Sequence, residues 1–170
     1  MRMAWIAALI GLTISGPAFA ETGKAALKGT AEGSPIAGTA TLTPANDGLK
    51  IVVEVNHAPP GQHGLHIHDK GSCADGGNAA GGHYNPNATP HGLVTRDGMG
   101  KAHPGDLGNI DVKADGTGRL EATVPGLSLT GGKYNVADRA IILHEKADDF
   151  GQPTGNAGGR IACGTIAVEK

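Results

Sequence analysis

Residues 63 to 106 read HGLHIHDKGSCADGGNAAGGHYNPNATPHGLVTRDGMGKAHPGD and hold six of the chain's eight histidines. His66 and His68 are one residue apart, so in an extended chain their rings leave the same face of one strand. From Gly71 to Gly105 glycine, asparagine, aspartate and proline dominate, a composition that favours turns and cannot bury a core. A connection of that length needs another source of order. His83, His91, His103 and Asp106 offer one, because neutral imidazole and carboxylate are good ligands for zinc and copper.

The N-terminus is read separately from the fold. Arg2, an apolar run from Met3 to Ile14 and the triplet Ala18-Phe19-Ala20 have the order of a secretory signal with a small-residue cleavage site. Residues 1–20 are therefore expected to be removed, leaving 21–170 as one domain. The new first residue would be Glu21, which takes no lipid, so no membrane attachment is expected after cleavage. The formal net charge of −2 comes without any basic run, which argues against nucleic acid or anionic membrane as partner. Export predicts a disulfide between the two cysteines, Cys73 and Cys163, since no CxxC pair supports a thiolate metal site. Closing that loop would stabilise the fold by about 4–5 kcal/mol.

Elsewhere short alternating or β-branched segments recur. Strands are expected at 24–31, 36–43, 49–56, 64–69, 108–112, 118–124, 139–144 and 161–168, with a short helical turn at 146–150. Asp47-Gly48 and the 113–116 turn join neighbouring strands. The pattern predicts an all-β fold, an eight-stranded Greek-key antiparallel β-barrel or sandwich whose two long loops form the metal site. The second loop is 145–159. Past residue 20 only Tyr84, Tyr134 and Phe150 are aromatic, so Val, Ile, Leu and Ala must fill the interior.

His144 ends the apolar run RAIILH and is placed to meet His66 and His68. With His83 these make four imidazoles, a set that suits copper in a tetragonal site. His83, His91, His103 and Asp106 give three nitrogens and one oxygen, which suits a closed tetrahedral zinc site. A ring has two nitrogens, so His83 could serve both.

GLHIHDKG, GGHYNP, HPGDLGNI, HEKADD and GNAGGRIACGTI, taken in order, resemble the ligand and disulfide motifs of copper-zinc superoxide dismutases, from about Lys24 onward. The resemblance implies one copper per subunit on His66, His68, His83 and His144, and one zinc per subunit on His83, His91, His103 and Asp106. It implies that Asp148 hydrogen-bonds a ligand of each metal, that Cys73 and Cys163 form the family disulfide, and that Arg160 stands beside the copper. It places His63 near the copper strand without binding metal. The implied reaction turns the small anion superoxide into oxygen and hydrogen peroxide. Copper is reduced and reoxidised in turn, while His83 takes up and returns a proton.

The segment from His144 to Thr154 is shorter than in the animal enzymes and carries only Glu145, Lys146, Asp148 and Asp149 as charges, which predicts weaker long-range guidance of superoxide. The 91–103 segment is slightly longer. Subunit contacts differ between branches of the family, so a homodimer stays open. GNAGG lacks the lysine and hydroxyl residue of a phosphate loop. Asn87-Ala88-Thr89 is a glycosylation sequon, relevant only in a eukaryotic secretory pathway. The competing expectation is an exported copper or zinc buffer, or a metallochaperone-like protein without turnover. The destination would be a periplasm or the cell exterior.

Overall fold

Strand β3, Gly48–Asn56, shows how the sequence makes this fold: Leu49, Ile51, Val53 and Val55 are buried while Lys50, Glu54 and Asn56 are exposed. The two-residue period sends every second side chain inward. The computed structural model describes residues 21–170; the expected signal, 1–20, lies outside the described residues. β1, Thr22–Gly29, and β2, Ala37–Ala45, precede β3, and β4, Gly61–His68, follows it. Then come β5, Asp106–Val112, β6, Gly118–Pro125, β7, Ala140–His144, β8, Arg160–Thr165, and β9, Ala167–Glu169.

Neighbours run β2-β3-β6-β5-β4-β7-β8-β1, and β1 also pairs with β2, which closes the sheet into a barrel. Every named pairing is antiparallel. Placing β3 beside β6, and β4 between β5 and β7, is Greek-key connectivity. The barrel has the expected eight strands; β9 continues the last one beyond Ile166 and also pairs with β1. The expected helical turn at 146–150 is absent. Its main-chain groups bond elsewhere: Gly64 N–H donates to Lys146 O, and Asp148 N–H donates to Asn109 Oδ1. The described helical pieces are a 3-10 turn at Asp75–Ala80 and one turn of helix, α1, at Val94–Asp97, both in the first long loop. No helix among the described residues is long and apolar enough to cross a membrane.

Leu27, Leu42, Leu49, Ile51, Ile67 and Leu143 are among the core side chains, each at most 1% exposed. β4 departs from alternation, because every residue from His63 to His68 is buried. Leu65 and Ile67 fill the barrel, and the intervening His66 and His68 are covered by the long loops. The disulfide Cys73–Cys163 fastens the first of those loops to β8, with the two Cα atoms 5.7 Å apart.

Candidate metal centre

Two irregularities in the sheet mark the site. The β4–β5 register shifts between Gly64 and His66, bringing His66 opposite Asp106. The β7–β8 register shifts between Leu143 and His144, bringing His144 opposite Arg160. A one-residue shift re-aims the side chains beyond it. The loops complete two groups whose ligand atoms lie within 4.8 Å of one another: His66, His68, His83 and His144, and His83, His91, His103 and Asp106. These are the two sets expected from the sequence, and they share His83.

Hydrogen bonds fix which nitrogens remain free. A carbonyl only accepts, so His68 carries its hydrogen on Nδ1, 2.9 Å from Gly81 O. His144 Nδ1 stands 3.3 Å from Gly158 O by the same logic. Their Nε2 atoms are left bare, and they face each other at 3.3 Å. His66 donates from Nε2 to Asp148 Oδ2 at 2.8 Å, which leaves its buried Nδ1 without a partner. Three lone pairs thus converge where no donor reaches, an arrangement that fits a soft or borderline cation. His83 Nδ1 belongs to the other group, 2.8 Å from Asp106 Oδ1, so its Nε2 is the nitrogen available here.

The second group gathers around one carboxylate. Asp106 is fully buried; its Oδ1 accepts from His83 and from His103, at 2.8 and 3.0 Å, and its Oδ2 accepts from the main chain of Gly92. His91 Nδ1 approaches Oδ2 to 2.8 Å, yet the direction is wrong for a hydrogen bond and that nitrogen has no partner. Once the ring is neutral, its Nδ1 and Asp106 Oδ2 can serve a common cation, which this misaligned contact fits better than a hydrogen bond. Three imidazole nitrogens and one carboxylate oxygen are a zinc-type donor set.

Asp148 links the groups, accepting from His66 Nε2 and from His91 Nε2, the latter at 2.9 and 3.0 Å to its two oxygens. Such an acceptor fixes tautomer and ring direction in both ligands. Asn109 holds Asp148 in turn, pairing with its N–H and C=O at 2.7 and 2.9 Å. Gly155 has φ +77°, and a Cβ there would stand 2.0 Å from Asp148 Oδ1 and 2.6 Å from His91 Nε2, so only glycine fits. The GNAGG stretch therefore serves packing against Asp148.

The two groups differ in charge. Burial pushes His68 down to about 2 and His144 down to about 3, with the neighbouring imidazoles and Arg160 adding to it. Burial also lowers His83 to about 4 despite Asp106. Burial works against charge at His91 too, but Asp106 and Asp148 outweigh it and raise the ring to about 9. At Asp106 and Asp148, hydrogen bonds from histidines outweigh burial and hold both carboxylates well below their ordinary range.

A cavity of about 210 Å³ opens onto the first group, lined by His68, His83, His144, Thr154, Gly158 and Arg160 among others. Arg160 donates from Nη1 to Gly77 O and from Nη2 to Gly81 O, both at 2.6 Å, so its guanidinium is held at the cavity wall. His63 sets both ring nitrogens against carbonyls, Pro59 O and His144 O, each at 2.8 Å, and so braces the main chain of His144. The sequon residue Asn87 is half-buried, its amide donating to Tyr134 Oη at 2.8 Å.

Residues 36–166 match the family described as copper/zinc superoxide dismutase (SODC). The chain belongs to that family. Among its relatives, an extracellular superoxide dismutase [Cu-Zn] of Caenorhabditis elegans is 39% identical over 138 residues, 77% of this chain and 61% of that one. Another of the same name, from Haemonchus contortus, is 40% identical over 127 residues, 71% of this chain and 67% of that one. The chain thus spans about three fifths to two thirds of these relatives' length. Among solved structures, the clock protein EA4 superposes with a TM-score of 0.76 at 34% identity, covering 91% of this chain and 99% of that one. The barrel fold is shared with that solved structure. Sequence reasoning missed Asn109 and Gln152, as well as the carbonyls of Gly77 and Gly81; an isolated loop amide or a main-chain oxygen gives no signal in a sequence.

Proposed function

We propose that the protein is an exported copper-zinc superoxide dismutase, with copper on His66, His68, His83 and His144 and zinc on His83, His91, His103 and Asp106. The observation that carries this is the convergence of bare imidazole nitrogens beside a cavity walled by a fixed guanidinium, with His83 common to both donor groups. Copper in such a set supplies one-electron chemistry in both directions, and zinc supplies charge and order without redox change.

The chain's own groups then account for substrate handling. Arg160 stays cationic although burial lowers its pKa, and it offers charge-assisted hydrogen bonds to a small anion such as superoxide. His83 can hold a proton at Nε2 whenever that nitrogen is not ligating, and return it to the reduced product. Its Nδ1 stays on the Asp106 side throughout, which keeps the ring in place. Asp148 orients His66 and His91 together. Two superoxides and two protons become one oxygen and one hydrogen peroxide. Export is supported by the leader-like residues 1–20, the disulfide and the extracellular relatives; a periplasm fits so short a leader.

Pulse radiolysis with catalytic amounts of copper- and zinc-loaded protein tests the proposal. Superoxide decay that is fast with copper and unaccelerated in a zinc-only sample is the expected result. Bound copper with no acceleration would leave a metal buffer as the better description.

A further inference from the structure

Resting on the zinc assignment above, we infer that Gln152 is a positioning residue of the zinc group, latching His91 to the loop that walls the copper-side cavity. Its carboxamide pairs with both main-chain groups of His91. Oε1 accepts from His91 N–H at 3.0 Å, and Nε2 donates to His91 C=O at 2.9 Å. A neighbouring strand would supply such pairing in a sheet; here one side chain supplies it from 61 positions away.

His91 needs this support. It lies outside any strand or helix in the first long loop, so no ladder holds its main chain. Its ring is held separately, by Asp148 on Nε2. Asp148 and Gln152 belong to the same 145–159 loop, so one loop fixes both ends of the residue. With main chain and Nε2 both tethered, the direction of the partnerless Nδ1 is set. Asp106 Oδ2 holds the adjoining Gly92 N–H; without Gln152, the His91 N–H and C=O would still lose their partner.

The latch has a second consequence. Thr154, Asn156 and Gly158, just past Gln152, line the cavity beside His144 and Arg160. Zinc binding and the placement of that wall are therefore coupled through Gln152, and the coupling runs equally in both directions. Gln152 is exposed, so changing it opens no hole in the core.

The test measures zinc release from fully loaded protein to the chelator 4-(2-pyridylazo)resorcinol, together with the visible bands of cobalt placed in the zinc group. Gln152→Ala is expected to release zinc about tenfold faster, in line with other partners lying behind metal ligands, and to shift the cobalt bands. Gln152→Glu keeps an acceptor for His91 N–H and loses the donor, so it should fall between Ala and wild type. The zinc-loaded form of Gln152→Ala should lose more thermal stability than the metal-free form. Release within twofold of wild type with unmoved cobalt bands would overturn the latch while leaving the zinc assignment standing, as would equal stability losses in the two forms. Wild-type protein that takes up neither zinc nor cobalt at this group would overturn both.

Discussion

The two donor groups share a ring and are built in opposite ways. In the proposed copper group, three of four imidazoles stand on β4 and β7, where main-chain pairs such as His66 with Ile142 and His68 with Ala140 hold them. Burial keeps His68, His83 and His144 low in protons. In the proposed zinc group, His83, His91 and His103 come from the 69–105 connection, and only Asp106 begins a strand. Two buried carboxylates supply its order, and through them His91 keeps its proton to about pH 9. The barrel thus preforms one group, whereas the other is assembled by charge.

His144→Ala tests that difference most severely. It removes one bare nitrogen from the copper group without touching Asp106 or Asp148, so turnover should vanish while zinc uptake stays stoichiometric. Full activity by pulse radiolysis in this variant would sink the copper assignment. Asp106→Ala should do the reverse. It strips the acceptor from His83 and His103 at once, so zinc should be lost first, with metal-free stability falling by about 3 kcal/mol and copper activity surviving in part. Metal analysis and calorimetry on the same samples would check this.

The contrast also explains what the sequence made legible. Alternation in segments such as GLKIVVEVN marked the strands, and histidine identity with motif order marked both donor sets, because those residues do chemistry that few others can. The barrel itself was an expected option, but its closure by β1 between β2 and β8 was not legible, since that pairing depends on register that alternation does not encode. The expected turn at 146–150 failed for a related reason. Its Lys146, Asp148 and Phe150 look helix-compatible locally, but Asn109, Gly64 and the Asp148 carboxylate claim the main-chain groups a helix would use.

Arg160→Met should lower turnover about tenfold, the scale of one charge-assisted hydrogen bond, and leave both metals bound. The loss should grow at low ionic strength if the guanidinium also draws the anion in. An unchanged rate at every salt concentration would reduce Arg160 to a tether for Gly77 and Gly81.

Protons should separate the groups in metal-free protein. His68, His144 and His83 titrate near 2, 3 and 4 when folded, against an ordinary value near 6.5. Between those values and about 6.5 the unfolded chain binds protons that the folded chain refuses. Stability should therefore fall as pH drops below about 6.5, by up to about 1.4 kcal/mol per pH unit for each ring. His91 works the other way: raised to about 9, it gives stability that is full below about 6.5 and lost as pH rises through 9. Urea midpoints across this range should trace a maximum near pH 6.5, and His91→Gln should flatten the alkaline limb most.

The smallest effect is expected where the zinc-side loop meets the body of the barrel. Arg139 lies 3.6 Å over the ring of Tyr84, the residue after His83, and donates from Nη1 to the main chain and carboxylate of Asp69, at 2.6 and 2.8 Å. A stacked guanidinium of this kind is worth about 1 kcal/mol. Arg139→Met keeps an unbranched apolar side chain and deletes the charge, so the melting temperature should drop by a few degrees. Because Tyr84 is tied to the loop and His66, His68 and His144 are tied to strands, zinc should leave slightly faster while the copper spectrum stays as in wild type. A copper spectrum that moved as much as zinc release would mean that the two groups are held by one framework after all.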